Sequence, residues 1–209
     1  TTAVPPLNPG EDTTINYNQA FVPTTEGTYS FITTISGITG DLTPTNNTTT
    51  QEVVTINPNQ PTATLNYSDD LSDGSLSWNG GNGGVAVYFI PPSFPAKVNN
   101  TSFYINSNLF LAGFSAMIYD DDGPDGLAGT LLDSTYVDPT QVITGAYTQV
   151  PTSQNVVVYD GGVYVLWYMQ GTDIQIAKDL TPPFSKRTYE VLDNVWAQYR
   201  AYDIEDFLI

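Results

Sequence analysis

Val163-Tyr164-Val165-Leu166-Trp167-Tyr168-Met169 offers no charged residue on either side of the chain. Successive side chains of a strand point to opposite faces, so a run that is apolar or aromatic at every position must be covered on both. It predicts a strand in the middle of a sheet. Six further strand-like runs precede it: GTYSFITTI at 27–35, QEVVTI at 51–56, GVAVYFI at 84–90, TSFYI at 101–105, FSAMIY at 114–119 and NVVVY at 155–159. Each is rich in Val, Ile, Thr, Tyr or Phe and is bounded by Gly, Pro, Asn or Asp, which is how strands are punctuated. Helical periodicity is nearly absent. Many short strands with frequent turn signals predict a sandwich or barrel.

The chain has 209 residues, of which 40% are hydrophobic and only 13% charged, enough apolar material for a core. Lys97, Lys178, Lys186, Arg187 and Arg200 stand against 22 acidic residues, a net charge of −17. A field of that sign repels phosphate backbones and anionic lipid, which argues against nucleic-acid and membrane-surface partners. It attracts cations, and a hard ion such as calcium suits carboxylate oxygens. Only Glu11, Glu26, Glu52, Glu190 and Glu205 are glutamates; the remaining acids are aspartates. Asp bonds to nearby backbone and is disfavoured inside strands, so most are expected in loops. There is no Cys and no His. The fold must stand without disulfides, and an acidic, cysteine-free composition rich in Thr, Asn, Gly and Pro suits an exported bacterial protein. No apolar run reaches the ~18 residues of a membrane span.

The stretch NPNQPT at 57–62 divides the chain, because two prolines there cannot continue a sheet ladder. The first piece, 1–58, is short and shows three or four strand signals. In it, Leu7-Asn8-Pro9-Gly10-Glu11, then an alternating stretch, Glu26-Gly27-Thr28-Tyr29, Asp41, Asn46-Asn47 and Glu52-Val53-Val54 follow in order. This order resembles the second half of a CARDB-like, immunoglobulin-type module. The resemblance covers about 5–57 and implies a partial module, either cut from its earlier strands or completed by a strand from another chain. It also implies a spacer or adhesion role.

The second piece, 62–209, is expected to form a jelly-roll-like sandwich of about ten strands, closing on Phe207-Leu208-Ile209. It carries Phe94-Pro95-Ala96-Lys97-Val98, Ile118-Tyr119-Asp120-Asp121-Asp122-Gly123-Pro124-Asp125-Gly126, Gly129-Thr130-Leu131-Leu132 and Gly162-Val163-Tyr164-Val165. In that order it resembles C-terminal β-sandwich modules of secreted proteins from Bacteroidetes-type bacteria, which implies export and surface attachment and no particular activity.

Without His or Cys, Ser-His-Asp and Cys nucleophiles and nearly all zinc chemistry are unavailable. The glycine run at 80–84 lacks the Lys-Ser/Thr ending of a phosphate-binding loop and reads as a turn. A carboxylate pair for glycoside hydrolysis is conceivable, but no pair stands at the end of a cleft-lining strand.

Two features suggest binding. In 120–126, aspartates at near-alternating positions with glycines present several oxygens to one point; calcium there would take Asp120, Asp122 and Asp125, with carbonyls completing the shell. The loop is not an EF-hand, since its twelfth position is Leu131 rather than Glu. Asp69, Asp70 and Asp73 form a weaker cluster. Trp78 and Trp196, beside polar residues, are candidate glycan-stacking side chains, with Tyr88, Tyr164, Tyr168 and Tyr199 near them in the aromatic inventory; Trp167 belongs to the core. The expectation is a non-catalytic structural or adhesive module of a bacterial cell-surface or filament-forming protein, contacting other copies or neighbouring modules and stiffened by calcium. The alternative is a carbohydrate-binding module of a secreted enzyme.

Overall fold

The computed structural model describes residues 2–16, 20–57, 59, 62–78, 82–169 and 174–209. The boundary at 57–62 and the turn at 80–84 fall partly outside them. The described chain is all β: β1 (Gly27–Thr34), β2 (Thr48–Thr55), β3 (Gly74–Ser77), β4 (Gly83–Phe89), β5 (Ala96–Asn108), β6 (Phe114–Asp120), β7 (Leu131–Val137), β8 (Ala146–Val158), β9 (Val163–Met169), β10 (Ile174–Asp179), β11 (Thr188–Leu192), β12 (Val195–Gln198) and β13 (Asp206–Phe207).

β3 to β13 build two antiparallel sheets. One has the order β12-β11-β4-β9-β6-β7; the other runs β13-β10-β5-β8, with β3 also paired to β10. β9 is the VYVLWYM run, flanked by β4 and β6, so its expected central place is observed. Its two faces differ in what covers them. Val163, Val165, Trp167 and Met169 point into the core between the sheets, with Val85, Val87 and Phe89 from β4 and Phe114, Ala116 and Ile118 from β6. The opposite sheet answers with Phe103, Ile105, Val150, Val156, Val158, Ile174, Ile176 and Phe207. Phe103 meets Phe114 edge-on across the gap, with ring centres 5.2 Å apart. Burial of each such side chain contributes about 1.5–3 kcal/mol.

β13 is wedged beside β10 and β5. The Leu208 amide donates to the Ala177 carbonyl at 3.2 Å, and the Tyr104 amide donates to Leu208 at 3.0 Å. Leu208 is wholly buried.

The first piece is a single hairpin among the described residues, β1 on β2, rather than three or four strands. Its register runs from Gly27↔Thr55 to Thr34↔Thr48. Phe21 packs edge-on against Tyr29 and Phe31, with centroids 5.1 and 5.3 Å away. Ile32 and Val53 remain exposed, Ile32 at 67%. The Asn8-Pro9-Gly10-Glu11 turn is formed, closed by the Glu11 amide on the Asn8 carbonyl at 3.0 Å. Gly10 there has φ 87°, the left-handed backbone that the position after Pro needs in such a turn.

Candidate functional site

Aspartate dominates the chain's chemistry, and the structure uses it chiefly to tie loops and sheets together. Asp133 sits on β7 at an inward position, 5% exposed. Its Oδ2 accepts from the Ser153 amide at 3.1 Å, and its Oδ1 accepts from the Ser153 hydroxyl and from the Gln154 amide at 3.2 Å. β7 ends one sheet and β8, which carries Ser153, ends the other, so the carboxylate joins the two sheets along one margin.

A second clamp of the same design stands on the other side of the sandwich, where the chain crosses from β10 to β11. Asp206, 2% exposed, accepts from the Ser185 amide at 2.7 Å through one oxygen and from the Ser185 hydroxyl through the other. Burial pushes the Asp206 carboxyl above its ordinary value; the Ser185 hydroxyl and amide pull it back down, and Asp179 nearby adds to the rise. Asp179, also buried, accepts from the Asp69 amide at 2.9 Å and the Thr181 amide at 2.7 Å. Asp206, Asp179 and Asp133 therefore depart from the expectation that aspartates lie in loops. An acid can occupy a strand when its oxygens are satisfied there.

The acidic loop after β6 is held in the same way. Asp121 Oδ2 accepts from the Tyr88 hydroxyl at 2.6 Å and the Gly162 amide at 2.8 Å. Gly161 makes room for it: φ is 62°, and a Cβ would lie 2.4 Å from Asp121 Oδ1. Asp122 accepts from both the amide and the hydroxyl of Thr130 at 2.6 Å. Tyr164 donates to the Gly126 carbonyl at 2.7 Å. The hydroxyl and amide of Thr130 lower the Asp122 carboxyl, whereas burial raises that of Asp120, with Asp122, Asp121 and Asp160 adding repulsion.

Of the expected calcium ligands, Asp120 accepts from the Asp121 amide at 3.0 Å, Asp122 is turned to Thr130, and Asp125 lies in the 3-10 turn Pro124–Gly126 with φ 58°. Among the described residues no group of three or more acidic side chains is arranged to hold a metal ion. The weaker cluster is likewise engaged. Asp70 accepts from the Tyr147 hydroxyl at 2.8 Å, Asp73 from the Leu180 amide at 3.0 Å, and Asp69 from the Leu71 amide at 2.9 Å.

The aromatic residues separate into two groups. Trp78 is half-buried against the main core, close over Gly83, where a Cβ would come within 2.5 Å of its indole nitrogen. Tyr199 is buried and packs on Phe207 at 5.0 Å. Trp196 lies elsewhere, on the outer face of the six-stranded sheet. Gly84 and Ala86 put almost no side chain on that face of β4, so larger groups from β11 and β12 lie across them. Trp196 thereby reaches Tyr119 at 5.2 Å and Tyr164 at 5.4 Å, while Tyr189 and Tyr88 stand 4.9 and 4.7 Å from Tyr164. Tyr88, Tyr119, Tyr168, Tyr189 and Trp196 are half-exposed over a buried floor of Ala86, Leu166 and Val191. The two candidate tryptophans thus do not share a surface. Tyr119 and Tyr189 were missed because a single strand does not show which neighbours its outward residues meet.

A cleft of about 570 Å³ separates β2 from the sandwich, lined by Thr49, Thr50 and Gln51 on one side and Tyr67, Lys186 and Arg187 on the other. The Arg187 guanidinium stands 5.1 Å from the Tyr67 ring centre and 5.9 Å from that of Tyr88. Compared with known proteins, the chain matches no family model, no curated protein and no solved structure.

Proposed function

We propose that the chain is a non-catalytic structural or adhesive module of an extracellular, cell-surface or filament-forming protein. The observation that supports this reading is a pair of aspartate–serine ties on opposite sides of a chain without cysteine, Asp133–Ser153 between the two sheets and Asp206–Ser185 between β13 and the loop that crosses from one sheet to the other. Lateral ties of this kind give a β-sandwich cohesion outside its apolar core, which a spacer under load requires. They also commit buried carboxylates to holding the fold. The composition, acidic and free of cysteine, suits export to a bacterial surface.

The test is incubation of the intact chain with polysaccharide and peptide panels. No turnover is expected. Turnover abolished by one Asp→Asn or Glu→Gln substitution would sink the reading. We extend the proposal to calcium at 120–126 with one condition: the ion must displace Thr130 from Asp122.

A second reading rests on the outer aromatic layer. Half-exposed rings of Tyr119, Tyr168, Tyr189 and Trp196 offer apolar faces with polar edges, a surface suited to the CH faces of a sugar. Glycan-array binding lost in Trp196→Ala and kept in Trp78→Ala supports carbohydrate recognition; a blank array removes it.

A further inference from the structure

Among the described residues the β1–β2 hairpin leaves one side of β2 without a strand. The Ile35 amide bonds the Asn47 carbonyl at 2.8 Å, which makes that pair a hydrogen-bonded one. Such pairs alternate along an antiparallel ladder. Carried through the register, Thr49, Gln51, Val53 and Thr55 bond to β1, while the amides and carbonyls of Thr48, Thr50, Glu52 and Val54 point away from it. Among the described residues β2 pairs with no strand but β1. The consecutive residues Thr49, Thr50 and Gln51 all line the cleft. Neighbours in a strand face opposite ways, so it is the strand's edge that borders the opening.

A row of unpaired backbone groups is a template for another strand. Charge restricts which strand. Two chains of −17 repel over most of their surfaces. The ion pairs among the described residues engage Lys178 with Glu205 and Arg200 with Glu190. Lys186 and Arg187, two of the five basic residues, flank the cleft beside the open edge. An extended segment with acids at one end therefore suits this place. The chain carries one. After the turn at Pro9-Gly10, the stretch Glu11-Asp12-Thr13-Thr14-Ile15-Asn16 lies in no strand and is exposed apart from half-buried Ile15. It combines two carboxylates with β-favouring Thr and Ile.

We propose that β2 is a strand-acceptor edge for a second copy of this chain, which lays its residues 11–16 along Thr48–Val54 with Glu11 and Asp12 toward Lys186 and Arg187. This deepens the structural-module reading by giving it a mode of self-assembly, and it rests on that reading.

Sedimentation of the intact chain from 1 to several hundred µM tests it. Concentration-dependent dimers or longer species are expected. Thr50→Pro removes an outward amide while leaving the β1 pairing intact, and should weaken association roughly tenfold or more, the worth of a ladder hydrogen bond plus register. Asp12→Lys and Lys186→Glu should each weaken it, and mixing the two variants should restore it, since each then meets an opposite charge. A monomer at every concentration overturns the proposal, as does association untouched by all three substitutions. Neither result touches the structural-module reading, which the turnover panels decide. Far-UV circular dichroism of each variant, unchanged from the parent chain, excludes misfolding as the cause of lost association.

Discussion

Replacing Asp133 or Asp206 by alanine removes one aspartate–serine tie, sheet to sheet for Asp133 and strand to crossover loop for Asp206, without touching the apolar core. Each clamp places a serine amide and a serine hydroxyl on a carboxylate, and hydrogen bonds to a charged group contribute about 1.5–3 kcal/mol apiece. Two effects reduce that sum. Ser153 is exposed, so water replaces part of what Asp133 supplied. Asp206 is buried with a raised carboxyl, so its removal also relieves an incompletely compensated charge. A net cost of about 2–3 kcal/mol per clamp remains. Because 1 kcal/mol moves the midpoint of a domain this large by about 2–4 °C, each single variant should melt roughly 5–10 °C lower. The clamps lie on opposite sides and share no partner, so the double variant should show the sum. Scanning calorimetry on the four proteins measures this. Ser153→Ala supplies the internal control: combined with Asp133→Ala it should add little, since the bond is already gone. Shifts under about 1 °C in both aspartate variants, or full additivity of Asp133→Ala with Ser153→Ala, would refute the claim that these contacts hold the sandwich together.

The acidic loop gives a second prediction. Tyr88→Phe deletes the hydroxyl on Asp121 and should speed amide exchange at Gly162 and proteolysis within 120–130 while leaving β9 protected; millimolar calcium should restore protection only if the ion takes Asp122 from Thr130, and equal protection in chelator and calcium excludes an ion there. The pH dependence of stability gives a third. The Asp206 carboxyl is raised above its unfolded value, so the folded chain holds that proton longer; stability from this group is full below the unfolded value of 3.8 and is lost as pH rises through the higher folded one. Asp122 is lowered, so its contribution is present above 3.8 and lost as pH falls through the lowered value. Asp206→Asn should flatten the first slope and Asp122→Asn the second, measured as urea midpoints between pH 3 and about 6.

The fold was legible where strands are apolar. β9 has the bounds of its run, and β1, β4 and β6 differ from theirs by a residue or two. β5 and β8 extend well past their recognised cores, because each passes an irregularity in register near Val98 and Asn100 and continues with Asn, Ser and Gln. β3, β7, β10, β11 and β12 went unrecognised. Asp133 in LLDSTYV and Asp179 at the end of IQIAKD look like turn residues, and only the tertiary partner shows that they are satisfied inside a sheet. One signal was present: Asp133 falls four residues before Val137 in period two, a core-facing position, and a polar residue there demands a partner. The acidic loop was found as a feature, but its role was not, since a line of aspartates does not reveal that Tyr88 and Gly162 reach one of them and Thr130 another. The outer aromatic layer was half visible. Trp196 lies on the outer face of the six-stranded sheet and Trp78 against the main core, a separation the sequence hides because nothing in it tells which side of β4 Trp78 crosses.

The strand order also governs how this molecule comes into being. Gly74 pairs with Lys178, Val85 with Trp167, and Ala96 with Val158, so both sheets interleave early and late parts of the chain. A nascent chain that has passed β6 owns pieces of two sheets and can finish neither. Pairings this distant in sequence are slow to form, and until β9 and β10 emerge, the strands that carry Val85, Phe103 and Phe114 lack neighbours within their own sheets. The time between synthesis and closure is therefore the period in which the chain is most exposed to aggregation, and any factor that shields hydrophobic segments during that interval decides the yield of folded protein.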